Sequence, residues 1–239
     1  RGQATVSARR RRAPGWSIRT WRWWTGTSVT WDFVELPSQL QENWIRKKEV
    51  IDSFARHYQT GQPISDDLIN KISQMENSGA GSSGRGQTFL ALLDMAWHTT
   101  DPKDIKSVKQ LEKKVRSENG FAATSSLRSP SFSHLFAGGY AAGYYSYKWA
   151  EVLEADVFET LFEKNGLYDA ESAKRLRETI YAMGGNYPAM DIFKKLMGRE
   201  PDQSALFRRE GLGSANDNQS KPPEGPGPSP KQRPPEPGL

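Results

Sequence analysis

The sequence predicts an all-α protein. Apolar residues recur at three- and four-residue spacing through most of positions 25–212, the alternation that marks strands is scarce, and the breaks between periodic runs are short. The chain therefore reads as helices joined by brief connections around a shared core.

The first helix begins at Asp32, with Phe33, Leu36, Leu40 and Trp44 on one face. Residues 64–76 repeat that spacing with Ile64, Leu68, Ile72 and Met75. Between them and the next helix, the run NSGAGSSGRGQ at 77–87 reads as a Gly/Ser-rich interhelical loop. TFLALLDMAW (88–97) is apolar nearly all round, as a buried helix is. Residues 103–117 set Ile105, Val108, Leu111 and Val115 on one stripe. A long helix is expected from about Tyr140 to Glu163, ending before Asn165-Gly166. Asp169 with Ser172 opens another, which Gly184-Gly185 closes, and two short helices follow at 188–197 and 202–209.

The ends differ from this body. Residues 1–24 have no periodicity of either kind, and 213–239 are rich in Pro, Gly and polar residues that bury too little apolar surface to order themselves. Three zones follow: a leader at 1–24, a helical body at 25–212, and a disordered tail at 213–239. The net charge of +5 is misleading, because residues 1–31 hold seven arginines and no acid, while the remainder carries 26 basic against 28 acidic residues. A body-wide nucleic-acid footprint is thus not indicated. The RRRR and WRWW runs of the leader could form a nucleic-acid arm, or could be sequence foreign to the body, and the second is favoured. The absence of cysteine excludes thiolate metal sites and fits a reducing compartment. No apolar run approaches the roughly 18–20 residues of a membrane span, so a cytoplasmic monomer, without membrane or nucleic-acid partners, is expected.

Several residues invite a chemical reading. GAGSSG at 79–84 matches a dinucleotide-binding pattern literally, but a helical segment precedes it where a strand is required, so it reads as a loop. Asp32 and Glu35 admit two readings: a capping box beside Pro37, or a ligand aimed at a charged group. His134 is one of three histidines and precedes Gly138-Gly139 and then Tyr140, Tyr144 and Tyr147, whose spacing puts three phenols on one helical face. A core would be better served by Phe or Leu, because a buried hydroxyl needs a partner. Phenols and an imidazole beside a glycine hinge are suitable donors to a developing oxyanion.

Taken together, GTSVTWDFVELPSQLQENW, ALLDMAWHT, FSHLFAGGYAAGYYSYKWAEVLEADVFE, MGG, GREP and FRREGL resemble the thimet oligopeptidase family of zinc metallopeptidases. The likeness is nearest to its bacterial branch of oligopeptidase A and peptidyl-dipeptidase Dcp. It covers roughly Thr25 to Leu212 and implies the C-terminal helical part of a zincin-type catalytic domain. The implied chemistry is metal-assisted cleavage of short peptides, with Zn2+ held by two histidines and Glu35 and a glutamate as base. Asp32 would then orient a ligand histidine. The resemblance also implies that His134 and Tyr147 steady the oxyanion or the bound peptide, that Tyr140 and Tyr144 touch substrate, and that Gly138 and Gly139 flex around it.

Both histidines and the base belong to an H-E-x-x-H helix that the resemblance puts in the leader, with imidazoles near positions 6 and 10. Val6 and Arg10 stand there, and no histidine occurs before His57. The chain as written is therefore expected to bind zinc weakly and to cleave nothing, with a non-catalytic helical peptide-binding module as the alternative.

Overall fold

The computed structural model describes residues 28–212; the expectations for the leader and the tail lie outside them. Among the described residues the regular structure is helical, apart from an isolated antiparallel bridge between Arg56 and Pro63. Nine α-helices run in order: α1 (Trp31–Val34), α2 (Leu36–Glu42), α3 (Lys48–Phe54), α4 (Asp66–Thr99), α5 (Val108–Glu118), α6 (Ser146–Val157), α7 (Ala170–Leu176), α8 (Ala189–Met197) and α9 (Ser204–Arg209). Both α6 and α7 run on into wider π-helical turns, at Phe158–Glu163 and Arg177–Tyr181.

The main core forms where Phe33, Leu36 and Leu40 of α1 and α2 meet Leu153 and Val157 of α6 and Ile192, Phe193 and Leu196 of α8, all nearly inaccessible to solvent. The amphipathic spacing of α8 places those three residues on one side, and Gly198, at φ 76°, ends the helix in the left-handed conformation. A second cluster joins Phe89, Leu90 and Leu93 of α4 to Val115 of α5 and to Phe132 and Leu135. The segment carrying His134 and the tyrosines connects the two.

Four expectations are corrected. Residues 77–87 are not a loop: α4 continues through them unbroken for 34 residues. Glycine costs about 1 kcal/mol per helical position but does not forbid the helix, and the run contains no proline. Ser65 starts α4 by accepting from the Leu68 N–H, and the packed 88–97 segment holds its other end. The apolar stripe of 64–76 is largely uncovered, with Leu68, Ile72 and Met75 at 48, 47 and 74% exposure. That half of α4 projects from the core and lines an open groove of about 1040 Å³. The buried helix at 88–97 is only partly so, since Met95 is 38% exposed. Finally, α6 starts at Ser146 rather than near Tyr140, so Tyr140 and Tyr144 lie in turns ahead of it.

Two buried carboxylates tie the C-terminal motifs to α6. Asp156 accepts both Arg199 Nη atoms at 2.6 Å and the Asp202 N–H at 2.8 Å. Glu154 accepts from Asn43 Nδ2 at 2.6 Å and lies 2.5 Å from Arg209 Nη1. Burial pushes the Glu154 carboxyl above the usual range, and Arg209 and Asn43 only partly oppose that. The Arg199→Met variant strands a 2%-exposed charge at Asp156. It is expected to lose about 3 kcal/mol of unfolding free energy in urea, the low end for a broken buried pair because Arg199 is partly exposed. Adding Asp156→Asn should recover much of the loss. A loss under about 0.5 kcal/mol for the single variant, the scale of an ordinary surface change, would show that the pair is dispensable.

Candidate active site

Glu35 sits at the joint between α1 and α2. The cap of α1 is Thr30, which makes no side-chain capping bond, so Asp32 lies inside the first turn and the capping-box reading does not hold. The Glu35 carboxylate is turned instead toward the tyrosines: Oε1 accepts a short hydrogen bond from the Tyr140 hydroxyl, and Oε2 accepts from Ser38 Oγ at 3.0 Å. Asp32 is half-buried one turn earlier.

Around that carboxylate the rings form a cluster. Tyr140 stacks on Tyr147 with centroids 5.0 Å apart and planes 18° from parallel, and it meets Trp31 at 4.7 Å. His134 presents its edge or face to Tyr140, Tyr144 and Tyr147 at 5.2, 5.4 and 5.8 Å. Its Nε2 lies 3.4 Å from the Tyr147 hydroxyl. The Tyr144 hydroxyl donates to Gln87 Oε1 at 3.0 Å. Burial first, then the bond to Glu35, raises the Tyr140 phenol above its ordinary range, so it stays neutral and donates. Tyr144 is raised too, chiefly by burial.

Three phenols and the imidazole thus converge, although the single helical face expected from their spacing does not exist. Asp94 explains the difference. Its side chain is fully buried, and it accepts the backbone N–H groups of Ala142 at 3.1 Å and Tyr144 at 2.9 Å. Both amides face the carboxylate, and Ala142 adopts φ 55°, which interrupts the helix. His98 braces Asp94, with Nδ1 3.1 Å from Oδ1 and 2.8 Å from the backbone carbonyl of the same residue.

Gly138 and Gly139 both have positive φ, 74° and 82°. At Gly139 a Cβ would stand 2.5 Å from Trp31 Cζ2, so only glycine lets this loop lie against α1. Asp94 and Gln87 escaped the sequence reading. A lone acid within TFLALLDMAW was the available signal for Asp94, since a buried carboxylate needs partners; no comparable signal marked Gln87.

The described residues contain no group of three His, Asp or Glu side chains placed to hold a metal ion. Both Glu35 oxygens already accept hydrogen bonds, His98 is tied to Asp94, and His57 Nδ1 lies 3.3 Å from the Gln59 and Thr60 N–H groups of an exposed turn. On their own these residues do not fit a zinc ion. Asp32 correspondingly has no ligand imidazole to orient among the described histidines.

Residues 21–212 match the profile of Peptidase family M3. The "Probable cytosolic oligopeptidase A" of Arabidopsis thaliana is 39% identical over 203 residues, covering 79% of this chain and 28% of that protein. The Escherichia coli "Oligopeptidase A" is 38% identical over 190 residues, covering 78% and 28%. The "Dipeptidyl carboxypeptidase" of Escherichia coli is 33% identical over 192 residues, covering 79% and 28%. The chain thus spans little more than a quarter of the length of these relatives. No helix among the described residues is long and apolar enough to cross a membrane. With a profile match over residues 21–212 and relatives that share well over a third of their aligned residues with it, the chain belongs to peptidase family M3, the thimet oligopeptidase family.

Proposed function

We propose that residues 25–212 are the C-terminal helical part of the catalytic domain of a cytoplasmic oligopeptidase that hydrolyses short peptides. The observation supporting this is the convergence of Glu35, Tyr140, Tyr147 and His134 on one surface. The Tyr147 hydroxyl, with His134 beside it, donates to the oxyanion that develops on the scissile carbonyl. Tyr140 and Tyr144, both neutral, contact the peptide, and the loop at Gly138 and Gly139 flexes around it. Joined to the missing segment, Glu35 would be one ligand of a catalytic zinc, which would polarise the reacting groups, and Asp32 would orient a second ligand. The two imidazoles and the base come from an H-E-x-x-H segment that the 239 residues do not contain. In this structure the Tyr140 hydroxyl satisfies Glu35.

The test is metal analysis and fluorogenic-peptide cleavage, on the 239-residue chain and on a full-length enzyme carrying an H-E-x-x-H helix in place of residues 1–24. The chain alone should hold substoichiometric zinc and cleave nothing, while the restored enzyme should show chelator-sensitive cleavage. Stoichiometric zinc with cleavage by the chain alone would mean that the metal site is misassigned. A restored enzyme that binds peptide without cleaving it would favour a non-catalytic peptide-binding module.

A further inference from the structure

A cavity of about 460 Å³ opens beside the tyrosine cluster, between α4, the end of α5 and the segment that follows. Its apolar lining is Phe89, Leu90 and Phe121, and around it stand Arg85, Arg116 and Arg128. Two of the guanidinium groups are already positioned. Arg116 lies 4.0 Å over the Phe89 ring and donates to the Ala122 carbonyl at 3.4 Å. Arg85 lies 5.1 Å over Phe121 and donates to the Gly120 carbonyl at 3.0 Å. Each carbonyl takes one N–H and leaves the rest of the fork open.

Among the described residues, the arginines in ion pairs are Arg199, Arg208 and Arg209, and none of the three at this cavity is paired. Glu112, whose charge acts on Arg116, is itself occupied: its carboxylate accepts the Arg128 N–H at 2.9 Å and the Ser129 N–H at 2.6 Å. The cavity meets the tyrosine cluster at Gln87. Gln87 lines it while accepting from the Tyr144 hydroxyl, and the charge of Arg128 acts on that same phenol.

We propose that this cavity binds a carboxylate carried on an apolar body, the C-terminal residue of a peptide, with Arg116 and Arg128 on the carboxylate and Phe89 and Phe121 against the side chain. Planar guanidinium forks suit a carboxylate, and stacking on aromatic rings fixes their orientation before a ligand arrives. Naming a peptide end as the ligand rests on the peptidase reading; the affinity for an apolar carboxylate does not.

The test is calorimetric titration of the 239-residue chain with N-acetyl-L-phenylalanine, its amide, and inorganic phosphate. The acid should bind about 10- to 100-fold more tightly than the amide, the range set by losing a charge-assisted hydrogen bond. Arg128→Gln should weaken the acid by a similar factor without changing the thermal melt, because its side chain reaches into solvent; Arg116→Gln is the second variant. Equal affinity for acid and amide, no binding at millimolar concentration, or acid binding untouched by both substitutions would overturn the site. Phosphate binding as tight as the acid would mark an anion site with no use for the apolar floor, and would overturn the assignment to a peptide end. These readings need no hydrolysis, so an inactive restored enzyme would refute the peptidase proposal while leaving acid binding intact.

Discussion

Replacing Tyr147 by phenylalanine, in a full-length enzyme that carries this segment with an H-E-x-x-H helix, is expected to lower turnover by about 10²–10³-fold, the usual cost of one oxyanion donor. The effect should fall on kcat, with KM changing little, because the bond concerned forms as negative charge develops. The ring should stay where it is, since its stacking on Tyr140 at 5.0 Å does not depend on the hydroxyl. In the free protein that hydroxyl makes a long contact, 3.4 Å to His134 Nε2, and interacts with the neutral Tyr140 phenol, so the ground-state bonding lost is weaker than the bond to a developing oxyanion. Tyr144→Phe supplies the contrast: its hydroxyl is committed to Gln87 at 3.0 Å, and its removal should act less on kcat. Steady-state kinetics on both variants decide the matter. Unchanged kcat in Tyr147→Phe would remove this residue from the chemistry.

The cluster was legible in the sequence through the wrong geometry. A four-and-three spacing of tyrosines is a helical signature, and it pointed to convergence; the rings do converge, but Tyr140 and Tyr144 reach their places from turns. What overrode the local period was a carboxylate 48 residues away from Ala142, a contact that no window of local sequence contains. Helix existence was readable wherever the apolar face found a partner, as at α8 with Ile192, Phe193 and Leu196. It failed as a guide to burial at Leu68, Ile72 and Met75, where the periodicity is present and the covering surface is not. The glycine run at 77–87 misled in the other direction, because propensity per residue is small beside what a cap at one end and a packed segment at the other contribute. Glu35 could not be resolved locally at all. A carboxylate three residues after an aspartate looks the same whether it caps or faces a tyrosine, and only the break between α1 and α2 separates the two.

Asp94→Asn is expected to release the tyrosine loop and to cost about 2–4 kcal/mol in unfolding free energy. The carboxylate is fully buried and uses both oxygens, one on the Ala142 N–H and the other on the Tyr144 N–H, with the His98 ring against Oδ1. An asparagine keeps the shape but replaces one acceptor by an N–H₂ group. Whichever way the amide turns, it sets a donor against a backbone donor in a site with no solvent to relieve it. The other bonds of the loop, Tyr140 to Glu35, Tyr144 to Gln87 and the Gly143 N–H to the Tyr140 carbonyl, leave the amides of Ala142 and Tyr144 to Asp94. Ala142 at φ 55° is in a region that costs an L-residue of order 1 kcal/mol, and that cost is met here by the bond to Asp94. Without the bond, residues 140–145 gain by leaving this conformation, and with them go the stacking of Tyr140 on Tyr147 and the contact of Tyr147 with His134. The amides of Ala142 and Tyr144 should therefore lose hydrogen-exchange protection selectively, while those of Ile192 and Phe193, in the α8 core, keep theirs up to the reduced global limit. Wild-type protection at Ala142 and Tyr144 in the variant would mean that the turn is fixed by its own backbone and by Trp31 packing against Gly139, and that Asp94 merely fills space beneath it.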